Sequence, residues 1–193
     1  MLDNISKYTI VLGSHSPRRR ELLLGLDIHY ELKVLPDIEE TYPAALQKEE
    51  IPVYIARSKA LAYKKFMNEN TLLITADTIV WLDGQVYGKP ANEMEARNML
   101  RALSGKTHEV ITGVCLTTQE QQKTFYAVSS VQFAWLEDAE IDYYVKKYQP
   151  YDKAGAYGVQ EWIGYIGVES LSGSFYNVMG LPVRMLYQYL KEW

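Results

Sequence analysis

The 193-residue sequence has a single cysteine, Cys115, so no disulfide can close within the chain. Cys115 lies in a run from Val110 to Leu116, where a buried core thiol is expected. No low-pKa setting for it is visible. The three histidines, His15, His29 and His108, show no pairing at three or four residues' distance, which argues against a zinc site. No apolar stretch approaches the ~20 residues of a membrane-spanning helix. The start, Met1-Leu2-Asp3-Asn4, lacks a basic segment followed by an apolar one, so no signal peptide and a cytoplasmic location are expected. An excess of positive charge is also missing. Twenty Lys+Arg against 24 Asp+Glu leave a net charge of −4, which disfavours a general nucleic-acid coat or a polybasic membrane binder. Repeats and low-complexity tracts are absent. So are Gly-x-x-x-x-Gly-Lys and Gly-x-Ser-x-Gly, which removes a Walker-type phosphate loop and a nucleophile elbow.

What is present is ordinary globular composition, 48% apolar and 23% charged. A chain of this length makes one domain, or one with two lobes, and buries roughly 70% of its unfolded surface. Tyr8 to Gly13 reads as a buried strand, and Ser16-Pro17 opens a helix to Leu26 as N-cap and first helical position. Tyr30 to Leu35 reads as a strand, and the acidic, proline-containing stretch Pro36 to Glu49 as a loop. Ile51 to Phe66 has helical spacing. Leu72 to Thr75 and Ile79 to Leu82 read as two strands flanking Ala76-Asp77-Thr78, followed by a hairpin turn at Asp83-Gly84. Asn92 and Glu95 open a helix that ends before Gly105. Glu109 to Thr118 and Thr124 to Leu136 are long β-rich runs. Asp138 is expected to cap a helix stopped by Pro150, and Pro182 to start a carboxy-terminal one. Early alternation of strands and helices with paired long strands in the middle predicts an α/β domain with a mixed sheet.

Several clusters could carry chemistry. In Gly13-Ser14-His15-Ser16-Pro17-Arg18-Arg19-Arg20 a strand meets a helix start, where free N–H groups and the helix dipole favour an anion. Guanidinium forks suit phosphate oxygens, and three cations at the positive end of a helix need a reason beyond helix stability. Asp77, at the end of an apolar run, could hold a divalent cation or take a proton from water, or simply make an Asx turn. Lys89 in Gly88-Lys89-Pro90 could face a phosphate, though a turn lysine is the plainer reading. Lys59 in its half-apolar helix reads first as an amphipathic surface lysine. Glu39-Glu40 could supply metal ligands or be solvated. In Asp152-Lys153-Ala154-Gly155-Ala156-Tyr157-Gly158-Val159-Gln160 the glycines permit close backbone approach to a ligand, or merely turns.

Taken in order, Ser14 to Arg19, Ala76-Asp77-Thr78, Gly88-Lys89-Pro90 and Asp152 to Gln160 resemble the Maf family of nucleoside triphosphate pyrophosphatases. Leu103 to His108 with Thr112-Gly113, and Val178 to Pro182, are similar to further family segments, so the resemblance spans about Leu12 to Pro182. It implies an α/β fold with a mixed, twisted sheet, flanking helices and two lobes around a central cleft. It implies hydrolysis between the α- and β-phosphates, giving a nucleoside monophosphate and pyrophosphate, with a divalent cation, Mg2+ or Mn2+. Arg18, Thr78 and Gln160 match the subgroup acting on dTTP and UTP, where house-cleaning of nucleotide pools is the implied role. Two departures stand out: Gly13 where alanine is common, a change expected to be harmless, and Glu161-Trp162 where glycine often follows Gln160. On this reading Asp77 is catalytic. Ser14, Arg18, Arg19, Lys59 and Lys89 bind phosphates, Thr78 and Gln160 read the pyrimidine or its ribose, and Glu39 with Asp77 holds the metal. The expected partners are the nucleotide and at most a second copy of the chain as a homodimer. Neither a stable nucleic-acid complex nor a membrane is expected. The rival readings are a cell-division or nucleic-acid-binding regulator, a non-catalytic nucleotide sensor, and a phosphatase that releases orthophosphate.

Overall fold

The computed structural model describes residues 2–36 and 38–193; Asp37, in the expected acidic loop, and Met1 lie outside the described residues. The chain runs β1 (Thr9–Leu12), α1 (Pro17–Leu24), β2 (Glu31–Leu32), α2 (Glu50–Tyr63), β3 (Thr71–Leu82), β4 (Gln85–Tyr87), α3 (Glu93–Leu103), β5 (Thr107–Thr117) and β6 (Gln122–Phe133). It continues through α4 (Asp138–Tyr148), α5 (Trp162–Gly167), β7 (Val168–Ser172), α6 (Phe175–Val178) and α7 (Val183–Lys191). Among the described residues the seven strands form one sheet in the order β2-β1-β3-β5-β6-β7, with β4 on β3. β1 pairs parallel with β2 and β3, whereas β3–β4 and β6–β7 are antiparallel, so the sheet is mixed as expected. No helix of the described residues is long and apolar enough to cross a membrane.

Local chemistry explains most boundaries. The Ser16 hydroxyl accepts from the Arg19 N–H and Pro17 takes the first position of α1. Asn92 caps α3 through the Glu95 N–H, and the Glu95 carboxylate accepts from the Ala91 N–H. Asp83 and Gly84, both at positive φ (51° and 81°), form the tight β3–β4 turn. α4 ends at Gln149 in the left-handed region, just before Pro150. Its N-cap is Glu137, one residue before the expected Asp138, because the Glu140 carboxylate reaches back to the Glu137 N–H.

The larger difference concerns β3. The two expected strands are one twelve-residue strand that runs straight through Asp77. Aspartate disfavours a strand interior, but here its carboxylate is ion-paired, which removes the reason to break the ladder. The residues between Gln160 and Pro182, for which the sequence predicts no helix or strand, carry α5, β7 and α6.

The chain divides into two compact units, and β3, β5 and β6 each contribute residues to both. Unit 1 comprises Met1–Asp77, Thr112–Ala127 and Gly180–Trp193. In it Val11, Ala56, Ala60, Tyr63, Leu73 and Cys115 pack together, and burial pushes the Cys115 thiol pKa up, which fits an inert core thiol. A Cβ at Gly113 would overlap the Pro52–Val53 backbone, so glycine lets α2 press directly on β5. Gly13 is also less neutral than expected, since a Cβ there would lie 3.0 Å from both the Thr75 methyl and the Tyr63 ring.

Unit 2 comprises Thr78–Ile111 and Val128–Met179, with Leu100, Leu103, Phe133, Ile141, Tyr144 and Ile163 in its core. His108 is sealed inside it. Its Nε2 is 2.7 Å from the Tyr157 hydroxyl, and its ring meets Phe133 and Tyr157 edge-on. Burial lowers its pKa from 6.5 to about 4. The folded state therefore binds the proton more weakly than the unfolded chain, and this contribution is complete above pH 6.5 and lost as pH falls toward 4. At pH 4.5 the loss amounts to about 2–3 kcal/mol. Urea unfolding at pH 7 and pH 4.5 checks this: the wild type should lose that much more stability across the interval than His108→Gln. Equal losses would show that His108 does not titrate as its burial requires.

Candidate active site

The catalytic candidates of unit 1 gather around one buried cation. Lys59, on α2, is 8% exposed. Its Nζ donates to Asp77 Oδ1 at 2.8 Å and to the Ala76 carbonyl at 3.4 Å, and lies 2.8 Å from Glu40 Oε1. These three oxygens match the three donors of an ammonium. The alternation of β3 aims Asp77 and Thr75 to the same side, and the Thr75 hydroxyl donates to the Ala56 carbonyl of α2, 2.7 Å away. α2 and β3 are thus tied beside the ion pair. The amphipathic-surface expectation for Lys59 gives way to a buried bridge between two carboxylates.

The loop from β1 to α1 lies against the same strand. Arg19 is buried and donates from Nε to the Gly180 carbonyl (2.8 Å) and from Nη1 to the Ala76 carbonyl (2.9 Å) and Ser14 Oγ (3.5 Å). Ser14 Oγ also accepts from the Ser16 N–H at 3.2 Å. Burial lowers the Arg19 pKa, Asp77 and Glu40 oppose that shift, and neighbouring Arg18 adds to it; the guanidinium stays charged. Arg18 is half-exposed on the first turn of α1. A loop of N–H groups, a hydroxyl and two guanidinium groups next to a buried carboxylate can receive a phosphate chain and position a water against it.

Glu39 and Glu40 are both exposed, and Glu40 is the one that reaches Lys59. Sequence singled out the acidic pair but had no periodicity in a loop with which to choose between them. The carbonyls of Ala76 and Gly180, which hold Arg19, left no side-chain signal. Among the described residues no group of three or more His, Cys, Asp or Glu is placed to hold a metal. Two carboxylates are nevertheless compatible with Mg2+, which takes one or two of them together with substrate phosphates and waters.

Unit 2 carries the other candidates. Thr78 follows Asp77 on β3 and is half-buried, and Lys89 is exposed just beyond β4. The Gly155 N–H donates to the Gly88 carbonyl at 3.0 Å, joining the Lys89 turn to the glycine-rich segment. Gly155 is required there twice over: its φ is +68°, and a Cβ would lie 2.8 Å from the Val80 side chain. Gln160 is half-buried, and its Oε1 is sealed from solvent with no hydrogen-bond partner among the described residues.

Comparison with known proteins follows the same lines. Residues 9–193 match the family described as Maf-like protein. The chain is 64% identical over 192 residues to a dTTP/UTP pyrophosphatase of Phocaeicola vulgatus, covering 100% of both chains. It is 45% identical over 188 residues to a dTTP/UTP pyrophosphatase of Flavobacterium johnsoniae, covering 97% of this chain and 96% of the other. Among solved structures, a HAM1 protein from Coxiella burnetii superposes with a TM-score of 0.51 at 18% identity, covering 96% of this chain and 100% of that one. That likeness is one of fold.

Proposed function

The chain belongs to the Maf family, and from that membership and the geometry around Lys59 we propose that it hydrolyses dTTP and UTP to the nucleoside monophosphate and pyrophosphate. The carrying observation is a carboxylate, Asp77, buried yet ionically held at 2.8 Å beside a cationic phosphate-type loop. Two relatives that cover 100% and 97% of it are named for this activity.

Asp77 accepts a proton from the attacking water, and the water oxygen forms a bond to the α-phosphorus. The bond from that phosphorus to the αβ-bridging oxygen breaks, and pyrophosphate leaves. Arg18, Ser14 and the loop N–H groups bind phosphate oxygens, while Arg19 anchors the loop through the Gly180 and Ala76 carbonyls. Lys59 fixes the Asp77 carboxylate and bridges it to Glu40 through two ion pairs of 2.8 Å. A divalent cation, Mg2+ or Mn2+, held by Asp77 and Glu40, would neutralise phosphate charge in the transition state. Of the unit 2 residues, Lys89 is assigned to the phosphates by its charge, and Thr78 and Gln160 to the pyrimidine or its ribose. The whole chain acts as one catalytic domain, located in the cytoplasm with the nucleotide pools it cleans.

A nucleotide panel assayed with Mg2+ and with Mn2+, scoring pyrophosphate and orthophosphate separately, tests the proposal. Pyrophosphate release fastest from dTTP and UTP is expected. Orthophosphate as the first product would make it a phosphatase, and tight binding of intact nucleotide would make it a sensor.

A further inference from the structure

We propose that Glu161 is a positioning residue that sets nucleotide selectivity by clamping the backbone on both sides of Gln160. The inference rests on the reading that Gln160 meets the base.

The clamp is built from two arms of one carboxylate. Glu161 Oε1 lies 3.2 Å from the Lys153 ammonium, which is itself buried and also contacts Asp152 Oδ1 at 2.7 Å. Asp152 is largely in water, where such a pair contributes little. The Glu161 side chain is 20% exposed, so its share of the Lys153 contact is less screened. Glu161 Oε2 accepts a hydrogen bond from the Tyr144 hydroxyl. That hydroxyl in turn accepts from the Gly158 N–H at 3.0 Å. Tyr144 comes from α4, is fully buried, and has its pKa raised by burial and by Glu161, so it stays a donor.

The geometry leaves no slack. A Cβ at Gly158 would meet the Glu161 carboxylate at 2.8 Å, so the acid closes directly over that glycine. The Glu161 N–H donates to the Gly158 carbonyl at 3.0 Å, and the Gly164 N–H to the Glu161 carbonyl at 2.8 Å. Segment 153–161 is therefore pinned at Lys153, at Gly158 and at Glu161. Gln160 sits inside that span, and its Oε1 has no protein partner among the described residues. Its amide is held by the backbone around it and not by a bond of its own. Thymine and uracil present an N3–H donor between two carbonyl acceptors, whereas cytosine presents an N3 acceptor. An amide with a fixed orientation can tell these apart, and one on a loosened backbone cannot.

The test is steady-state kinetics with dTTP, UTP and CTP on the wild type, Gln160→Ala, Glu161→Ala, Glu161→Gln and Tyr144→Phe. Glu161→Ala should raise KM for dTTP and UTP about tenfold, the effect of one lost hydrogen bond. It should leave kcat nearly unchanged and lower the preference for dTTP over CTP. Tyr144→Phe should move KM in the same direction, and Glu161→Gln, which keeps an acceptor for Tyr144, should recover part of the loss. Adding Glu161→Ala to Gln160→Ala should cost little more than Gln160→Ala alone, since both act through one group. If Gln160→Ala raises these KM values and the Glu161 and Tyr144 variants lower only the melting temperature, the clamp is structural and the inference fails. If Gln160→Ala itself changes no KM, the assignment of Gln160 to the base is wrong, and the inference falls with it.

Discussion

Asp77→Asn is expected to fold, to bind dTTP, and to release pyrophosphate roughly 10²–10⁴-fold more slowly than the wild type. The substitution keeps the volume of the side chain and an oxygen that can still accept from Lys59 at the present 2.8 Å. It removes the basic oxygen that takes the proton of the attacking water, and a negative charge that helps hold a divalent cation. Far-UV circular dichroism should match the wild type, the thermal melt should fall below it because buried Lys59 keeps only the half-exposed Glu40 as counter-charge, calorimetry should still register nucleotide, and the product assay should show the loss. Turnover close to that of the wild type would take Asp77 out of the reaction.

Lys59→Met should be the most destabilising change in unit 1. Lys59 and Asp77 expose only 10% and 8% of their side chains. Removing the cation leaves a buried carboxylate without its counter-charge, which typically costs about 3–5 kcal/mol. For a chain of this length that corresponds to a melting temperature lower by roughly 6–20 °C. Glu40, with 40% of its side chain exposed, can turn to water and contributes less to the penalty. The double variant Lys59→Met/Asp77→Leu removes both charges and should regain much of the lost stability while remaining inactive. A Lys59→Met protein as stable as the wild type would mean that the bridge is not holding the carboxylates in place.

Much of the fold was legible because it depends on neighbours in sequence. Ser16-Pro17 starts α1, Asn92 with Glu95 starts α3, and Asp83-Gly84 turns β3 into β4, each through a hydrogen bond or a backbone angle that a few adjacent residues dictate. The candidate site is legible in part. Asp77, Ser14 and Arg19 were singled out, and they do come together at Ala76 and Lys59.

What the sequence does not carry is the choice of partner. Asp77 looked like the end of a strand because an aspartate without a partner disrupts one, and the partner, Lys59, lies eighteen residues back on α2. Glu39 is the expected metal ligand, and its neighbour Glu40 is the acid that reaches Lys59, a pairing that no periodicity in the loop announces. Arg19 is expected to bind phosphate, and two of its donors also hold backbone carbonyls, one of them 161 residues away, which no local pattern foretells.

Composition, cap residues and turn residues thus determined by themselves that this chain is an α/β protein with a basic loop and an acidic strand, since short-range hydrogen bonding and periodic burial are written residue by residue. Only the tertiary structure decided which charges neutralise each other, because burying a charge is tolerable solely where a distant counter-charge arrives at hydrogen-bonding distance, and that meeting is a property of the packed chain.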